Sequence, residues 1–283
     1  MATTVNTGPA ARDRHVIRDL GWATKRSGDE LHGSAPIAGE MQVPGTGQLR
    51  TSILATWADT LAGLLVVEAI SPRVPVTLEL DVHLFGPAPG AGVVQGVGRI
   101  VKSGRSVTVA QVDFTDGDGK PVGFAAASFM AAPDQNLVFT APSSVDQALP
   151  GGSRLSAPFA ERAGCERRGP GVAVLTHSAE ALNASQTMNG GLIALAVEEA
   201  ALSLSPGKTL ASLGLRYLQP VRVGPAIAEA EVRSGLGRTY VRDGGNEGRL
   251  CVLATSRTFP LRVVPRAPSR EPGSEANNPS ATP

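Results

Sequence analysis

The chain has 283 residues, 42% of them hydrophobic and 18% charged, which suits two cores of modest size and excludes a chain disordered throughout. Its 26 Lys+Arg are balanced by 25 Asp+Glu, a net charge of +1; with no basic excess to neutralise phosphates, nucleic acid is excluded as the main partner. Aromatic residues make up only 4% while Gly (33) and Pro (22) are plentiful, a balance that favours strands and turns over a Trp- or Tyr-lined recognition groove.

Residues 1–24 open with small polar residues, carry no apolar run of the secretory type, and are expected to be a flexible N-terminus. From Arg50 to Ile70 apolar residues recur at helical spacing with no breaker but Gly63, which predicts a long helix. Val74 to Leu84 then alternates strictly, a strand with one buried face; its Val and Leu residues share that face, and Thr77 falls on the other. A Pro/Gly turn (Gly86–Gly92), a strand (Val93–Val101) and a short Gly-Arg turn (Ser103–Ser106) follow. Two more strands, Val107–Phe114 and Val122–Met130, are joined by the hairpin Asp116–Gly119. Residues 141–156 are polar and rich in Pro and Gly and read as a linker.

Beyond the linker the series repeats. A second helix is predicted over Gly190–Ser205, then a strand at Leu213–Leu218, a turn at Pro220–Pro225, a strand at Ala226–Val232 and a Gly-Arg turn at Leu236–Thr239. Strands at Tyr240–Arg242 and Arg249–Phe259 close the unit, and residues 263–283 read as a disordered tail. Pro87 to Pro220 and Arg105 to Arg238 are both separated by 133 residues, so the two halves are an internal duplication. The fold class is α+β with antiparallel sheets, in domains of 25–140 and 157–262.

The most apolar segments, Ile53–Ile70 and Leu192–Leu204, carry Asp59, Glu68, Glu198 and Glu199, so no membrane span is expected and the location is read as cytoplasmic. Cys165 and Cys251 lack metal or disulfide context and are expected as buried free thiols. His15, His32, His83 and His177 show no metal spacing, and no metal is expected. There is no Gly-x-Ser-x-Gly elbow, Gly96-Val-Gly98 lies inside a strand without the third glycine of a dinucleotide loop, and Asp116-Gly-Asp118-Gly119 is a turn rather than a calcium loop.

The two helices hold the remaining chemistry. Asp59 sits among Trp57, Ala58, Leu61 and Ala62, and Glu198-Glu199 sits in an equally apolar stripe. Such a carboxylate is either a desolvated base or a group on the helix's exposed side. Asn189-Gly190-Gly191 opens the second helix, either as a tight entry loop or as free backbone N–H donors for a developing oxyanion.

In these residues the chain resembles the hotdog-fold acyl-CoA thioesterases, in particular the phenylacetate-pathway and 4-hydroxybenzoyl-CoA type. Their helix begins with a His-Gly-Gly-like triplet, bears an Asp or Glu eight residues after the first Gly, and is preceded by an Asn seven residues before it. Counted from Gly190, those positions are Glu198 and Asn183; counted back from Asp59, the helix start is Thr51. The resemblance spans about residues 25–262 and implies two fused hotdog repeats, each a long helix wrapped by an antiparallel sheet. The pattern is incomplete in both halves: Asn189 replaces the His, and the first half has Arg50-Thr51-Ser52 and Pro44 in place of the triplet and the Asn.

Eight helical residues rise about 12 Å, too far for a donor and a carboxylate of one helix to share one carbonyl. The resemblance implies that the two come from different hotdogs. One mixed site would then join Asp59 to Gly190, Asn183 and Asn189, with Thr77, eighteen residues after Asp59, as an accessory hydroxyl. The reciprocal site would set Glu198 against Arg50, Thr51 and Pro44 and is expected to be decayed, with Arg50 neutralising Glu198. The implied activity is hydrolysis of acyl-CoA to free acid and coenzyme A, with no cofactor beyond the coenzyme A of the substrate. Lys102, Arg105 and Arg238 are either contacts for its phosphates or solvated turn charges. A non-catalytic acyl-CoA-binding or scaffold protein is the alternative. A hydratase is disfavoured by the lack of an Asp-x-x-x-x-His pair after either helix start. Oligomeric state is left open, since the fused pair already provides what a homodimer of single hotdogs would.

Overall fold

The computed structural model describes residues 15–139, 146, 152–183 and 185–259; the expected tail and most of the linker lie outside them. Two helices dominate: α1 (Thr51–Ile70) and α2 (Gly190–Ser203). Both are apolar on almost every side, the composition of a helix enclosed by protein rather than laid on a surface. α1 is long and apolar enough to cross a membrane, yet its residues from Thr51 to Ala58 are all buried within this fold.

Fourteen strands accompany them. Before α1 come β1 (Ala23–Ser27), β2 (Glu30–Pro36), β3 (Gln42–Val43) and β4 (Gln48–Leu49); after it come β5 (Pro75–Leu84), β6 (Val93–Ser103), β7 (Thr108–Asp116) and β8 (Pro121–Ala131). Before α2 come β9 (Cys165–Gly169) and β10 (Val172–Leu175); after it come β11 (Leu210–Tyr217), β12 (Ala226–Arg233), β13 (Leu236–Asp243) and β14 (Arg249–Thr258). Twelve of them form one antiparallel sheet in the order β1-β2-β6-β7-β8-β5-β11-β14-β13-β12-β10-β9, and β3 pairs only with β4. The order reads the same from either edge once each strand is matched to its counterpart. β5 and β11 meet at the centre, with Val82 opposite Leu213 and Leu80 opposite Leu215. Arg216 ties this junction by reaching Glu79 (3.1 Å) and Asp81 (2.9 Å) across it.

Three readings of the sequence change here. Residues 15–24 are not a loose lead-in: Val16–Leu20 is a 3-10 helix capped by His15 Nδ1, and Trp22 stacks on Trp57 with ring centroids 4.5 Å apart. That apolar stretch is too short to show a period, so burial is its only signature. Each helix is also preceded by a hairpin, β1–β2 and β9–β10, that periodicity did not reveal. The residues Leu236–Thr239, expected as a turn, begin β13. The chain turns two residues earlier, where Ser234 and Gly235 take positive φ (50° and 77°). The hairpin at Asp116–Gly119 is as expected: Asp116 Oδ1 accepts the Asp118 and Lys120 N–H groups and Gly119 has φ 79°. Cys165 and Cys251 are both free and buried.

Candidate active site

α1 and α2 cross at close range because glycine permits it. A Cβ placed on Gly191 would lie 2.3 Å from Thr56 Oγ1, so no larger residue fits at that point while the helices keep this separation. Thr56 is one turn before Asp59, so the contact brings the N-terminus of α2 to the carboxylate-bearing stretch of α1. Asp59 itself is half-buried. Burial pushes its carboxyl up to about 6, partly opposed by the Thr77 hydroxyl, which donates to Asp59 Oδ1 at 2.9 Å.

Thr77 thereby faces the helix, although strict alternation assigned it to the other side of the strand. The reason is a bulge. Where β5 pairs with β8, the register skips between Thr77 and Glu79, and the extra residue flips the facing of every side chain before it. Leu80 and Val82 are buried after the bulge, and Thr77 turns to the helix before it, as its bond to Asp59 shows.

Tyr217, at the end of β11, completes this corner. Its hydroxyl donates to the Gly190 carbonyl at 3.0 Å, and a Cβ on Gly190 would touch that hydroxyl at 3.0 Å and the ring at 3.2 Å. Burial and, after it, the nearby Asp59 charge hold its phenol well above the usual range, so it remains a donor. Little in the sequence singles it out: it is one of two tyrosines, at the end of a strand marked only by weak alternation. At the start of α2, Asn189 Oδ1 accepts the N–H groups of Gly191 (2.9 Å) and Leu192 (3.4 Å). The Gly190 N–H has no hydrogen-bond partner among the described residues. A free first-turn N–H at the positive end of a helix, beside a carboxylate of raised pKa, can polarise a carbonyl while the carboxylate handles a proton.

The counterpart arrangement is filled by the protein itself. Glu198 is the ninth residue of α2, as Asp59 is of α1. It is fully buried, and its Oε1 accepts the N–H groups of Thr51 (2.9 Å) and Ser52 (3.4 Å) at the start of α1. Ser52 Oγ (2.6 Å) and Arg50 (3.4 Å) bind its Oε2. Arg50, the N-cap residue of α1, offers no side-chain acceptor, and Glu198 supplies the missing cap from the other half of the chain. Burial raises the Glu198 pKa, with Arg50 the largest opposing influence. Arg50 also holds Glu199 Oε1 at 2.5 Å, and Arg167 holds Oε2 at 2.6 Å.

The other expected residues fall into structural roles or stand apart. Asn189 is an N-cap, its oxygen consumed by the helix. Asn183 Oδ1 closes its own loop by accepting from Ser185 N, Thr187 N and Thr187 Oγ1. Pro44 lies in the β3–β4 connection. Lys102 and Arg105 are exposed at and just beyond the end of β6. Arg238 is in β13, bonded to Glu231 at 3.1 Å and 5.4 Å from the Tyr240 ring centroid, not in a turn.

Comparison with known proteins bears on this geometry in two ways. Residues 51–122, which span α1 through the start of β8 and include Asp59 and Thr77, match the thioesterase superfamily model. Among solved structures, the chain is similar to an acyl-ACP thioesterase from Bacteroides thetaiotaomicron VPI-5482 (TM-score 0.57, 14% identity, 81% of this chain and 98% of that one). It is also similar to the 12:0-ACP thioesterase of Umbellularia californica (TM-score 0.58, 14% identity, 84% and 100%). A protein of unknown function with a hot dog fold from Alicyclobacillus acidocaldarius is a third (TM-score 0.52, 17% identity, 87% and 97%). No curated protein matches the sequence. The fold is therefore the hotdog, and the stretch carrying Asp59 and Thr77 is the part that matches the thioesterase superfamily model.

Proposed function

We propose that this hotdog chain of the thioesterase superfamily is a fused pair of hotdog repeats that hydrolyses acyl-CoA at one site, between Asp59 of the first repeat and the start of α2 in the second. The observation that carries the reading is the Glu198 contact. A carboxylate at the ninth position of one helix reaches the first N–H of the other, which supports the same relation between Asp59 and Gly190. Asp is shorter than Glu by one C–C bond, about 1.5 Å, and that difference leaves room for a substrate oxygen or a water where Glu198 leaves none.

In this reading the thioester carbonyl oxygen accepts the Gly190 N–H and the positive end of α2 stabilises the charge that develops on it. Asp59, ionised and oriented by Thr77, takes a proton from water as the water oxygen attacks the carbonyl carbon. The C–S bond then breaks and the thiolate recovers the proton, giving free acid and coenzyme A. Direct attack by Asp59 reaches the same products through an anhydride. A simple thiol has a pKa of about 8.5 and leaves readily, so no strong general acid is required. Lys102 and Arg105 are the proposed phosphate contacts; Arg238, bonded to Glu231, is a weaker one.

Thiol release from a series of acyl-CoA and acyl-carrier-protein substrates tests the assignment. Asp59→Asn should lower kcat by about 100-fold or more at unchanged fold, and Glu198→Gln should retain turnover in proportion to folded protein. The reverse pattern would invert the site. A wild type that binds acyl-CoA without turning it over would favour the binding or scaffold reading, which the filled Glu198 half specifically supports.

A further inference from the structure

A cavity of about 520 Å³ opens beside the N-terminus of α1, at the half whose donors Glu198 occupies. Such a volume lies in the range that holds a small organic ligand. One part of its wall is apolar, with Val43, Leu202 and Pro206. Another part is cationic. Arg50, 1% exposed, lines it with an Nε that has no hydrogen-bond partner. Arg167 uses only its Nε, on Glu199, which leaves both terminal nitrogens unengaged among the described residues. Lys208 is half-buried and has no ion-pair partner there.

The lining carries three carboxylates, Glu161, Glu166 and Glu199, against these three cations, so the cavity offers unengaged donors and no net positive charge. Both oxygens of Glu199 are taken, by Arg50 and Arg167. Glu166 is exposed and paired with Arg168 at 2.8 Å, and Glu161 is exposed. Cys165 presents a thiol that burial keeps protonated. What remains unfilled is a set of guanidinium and ammonium donors, Arg167 among them exposed, that line the same cavity as the apolar residues. Paired N–H groups of a guanidinium match the two oxygens of a carboxylate, and Lys208 adds a point charge.

We infer that this cavity is a second binding site, for a small carboxylate with an apolar tail such as a medium-chain free acid. The carboxylate lies against Arg167 and Lys208 beside Arg50, and the tail lies on Val43, Leu202 and Pro206. The site holds its ligand without turnover, because the first-turn N–H groups of α1 are already bonded to Glu198. Occupancy does not depend on hydrolysis at Asp59, so the two readings stand or fall separately.

Titration calorimetry of the full chain with octanoate, acetate and inorganic phosphate tests it. Octanoate should bind saturably and raise the melting temperature, and tighter than acetate or phosphate. Lys208→Glu and Arg167→Gln should each weaken octanoate about tenfold, with the melting temperature of the ligand-free Lys208→Glu protein unchanged. Asp59→Asn should leave octanoate affinity as it is. Absence of saturable octanoate binding, affinity unmoved by both cavity variants, or phosphate or acetate binding as tightly as octanoate would each overturn the site. Loss of octanoate binding in Asp59→Asn alone would overturn it too, by placing the acid at the other pocket.

Discussion

Asp59 keeps its proton to about pH 6 because burial penalises the anion more than the Thr77 hydroxyl favours it. A carboxyl with a folded-state pKa above its unfolded value stabilises the fold fully at low pH, and that contribution is lost as pH rises through about 6. Asp59→Asn should therefore flatten the pH dependence of stability between about pH 4 and 6, a difference of at most about 3 kcal/mol in denaturant unfolding. In the proposed reaction the base must be charged, so kcat/KM should rise with an acid limb near pH 6. Thr77→Val removes the one bond that lowers this pKa and should move the limb upward.

Tyr217→Phe frees the Gly190 carbonyl from its hydroxyl partner; it should lower kcat about tenfold with little change in KM or melting temperature, as read by steady-state kinetics and calorimetry. In the sequence, an apolar helix marks Asp59 as either a desolvated base or a group on the exposed side, and only the spacing of eighteen residues pairs it with Thr77. The alternation rule misplaced Thr77 because a bulge leaves no mark in a period-2 pattern. Tyr217 was not legible, since its importance lies in what a distant helix start brings to it.

Helices are where the sequence spoke most clearly and where their contact stayed hidden. Both long helices were read within a few residues, because an apolar stretch with a capping or glycine start is a local signal. The hairpins before them carry no such signal because β1 and β9, at the two edges of the sheet, are five residues long and each has one buried residue. How the helices meet depends on Gly191, which in sequence reads equally well as an entry loop. Gly191→Ala puts a methyl 2.3 Å from Thr56 Oγ1 and 2.9 Å from its Cγ2, so the helices must part. The cost should be about 1–3 kcal/mol in unfolding experiments, with a larger loss of turnover because Asp59 moves away from Gly190. Thr56→Ala removes both of those atoms and should recover part of the loss, which a double-mutant cycle would register as coupling between the two positions.

At the scale of the molecule the two halves are bound by more than helix contact, because β5 and β11 make one sheet of what would otherwise be two open edges. Spacing suggests a repetition but carries no sign of this junction: antiparallel pairing of strands about 130 residues apart has no local signal. It has a consequence for any isolated half. A fragment ending at residue 139 would expose the β5 edge, with its unpaired N–H and C=O groups, and the face of α1 that meets α2. It would also leave Arg50 without the carboxylates of Glu198 and Glu199. Such a fragment should be dimeric or aggregated by light scattering, since a second copy can offer another β5 edge to pair with. It should also be inactive towards acyl-CoA even when dimeric, because both of its helices start with Arg50-Thr51-Ser52 and neither offers the glycine N–H that the proposed reaction uses. A monomeric, cooperatively unfolding fragment would show that the junction is dispensable to each half. A dimeric and active one would show that the start of α2 is not the oxyanion donor.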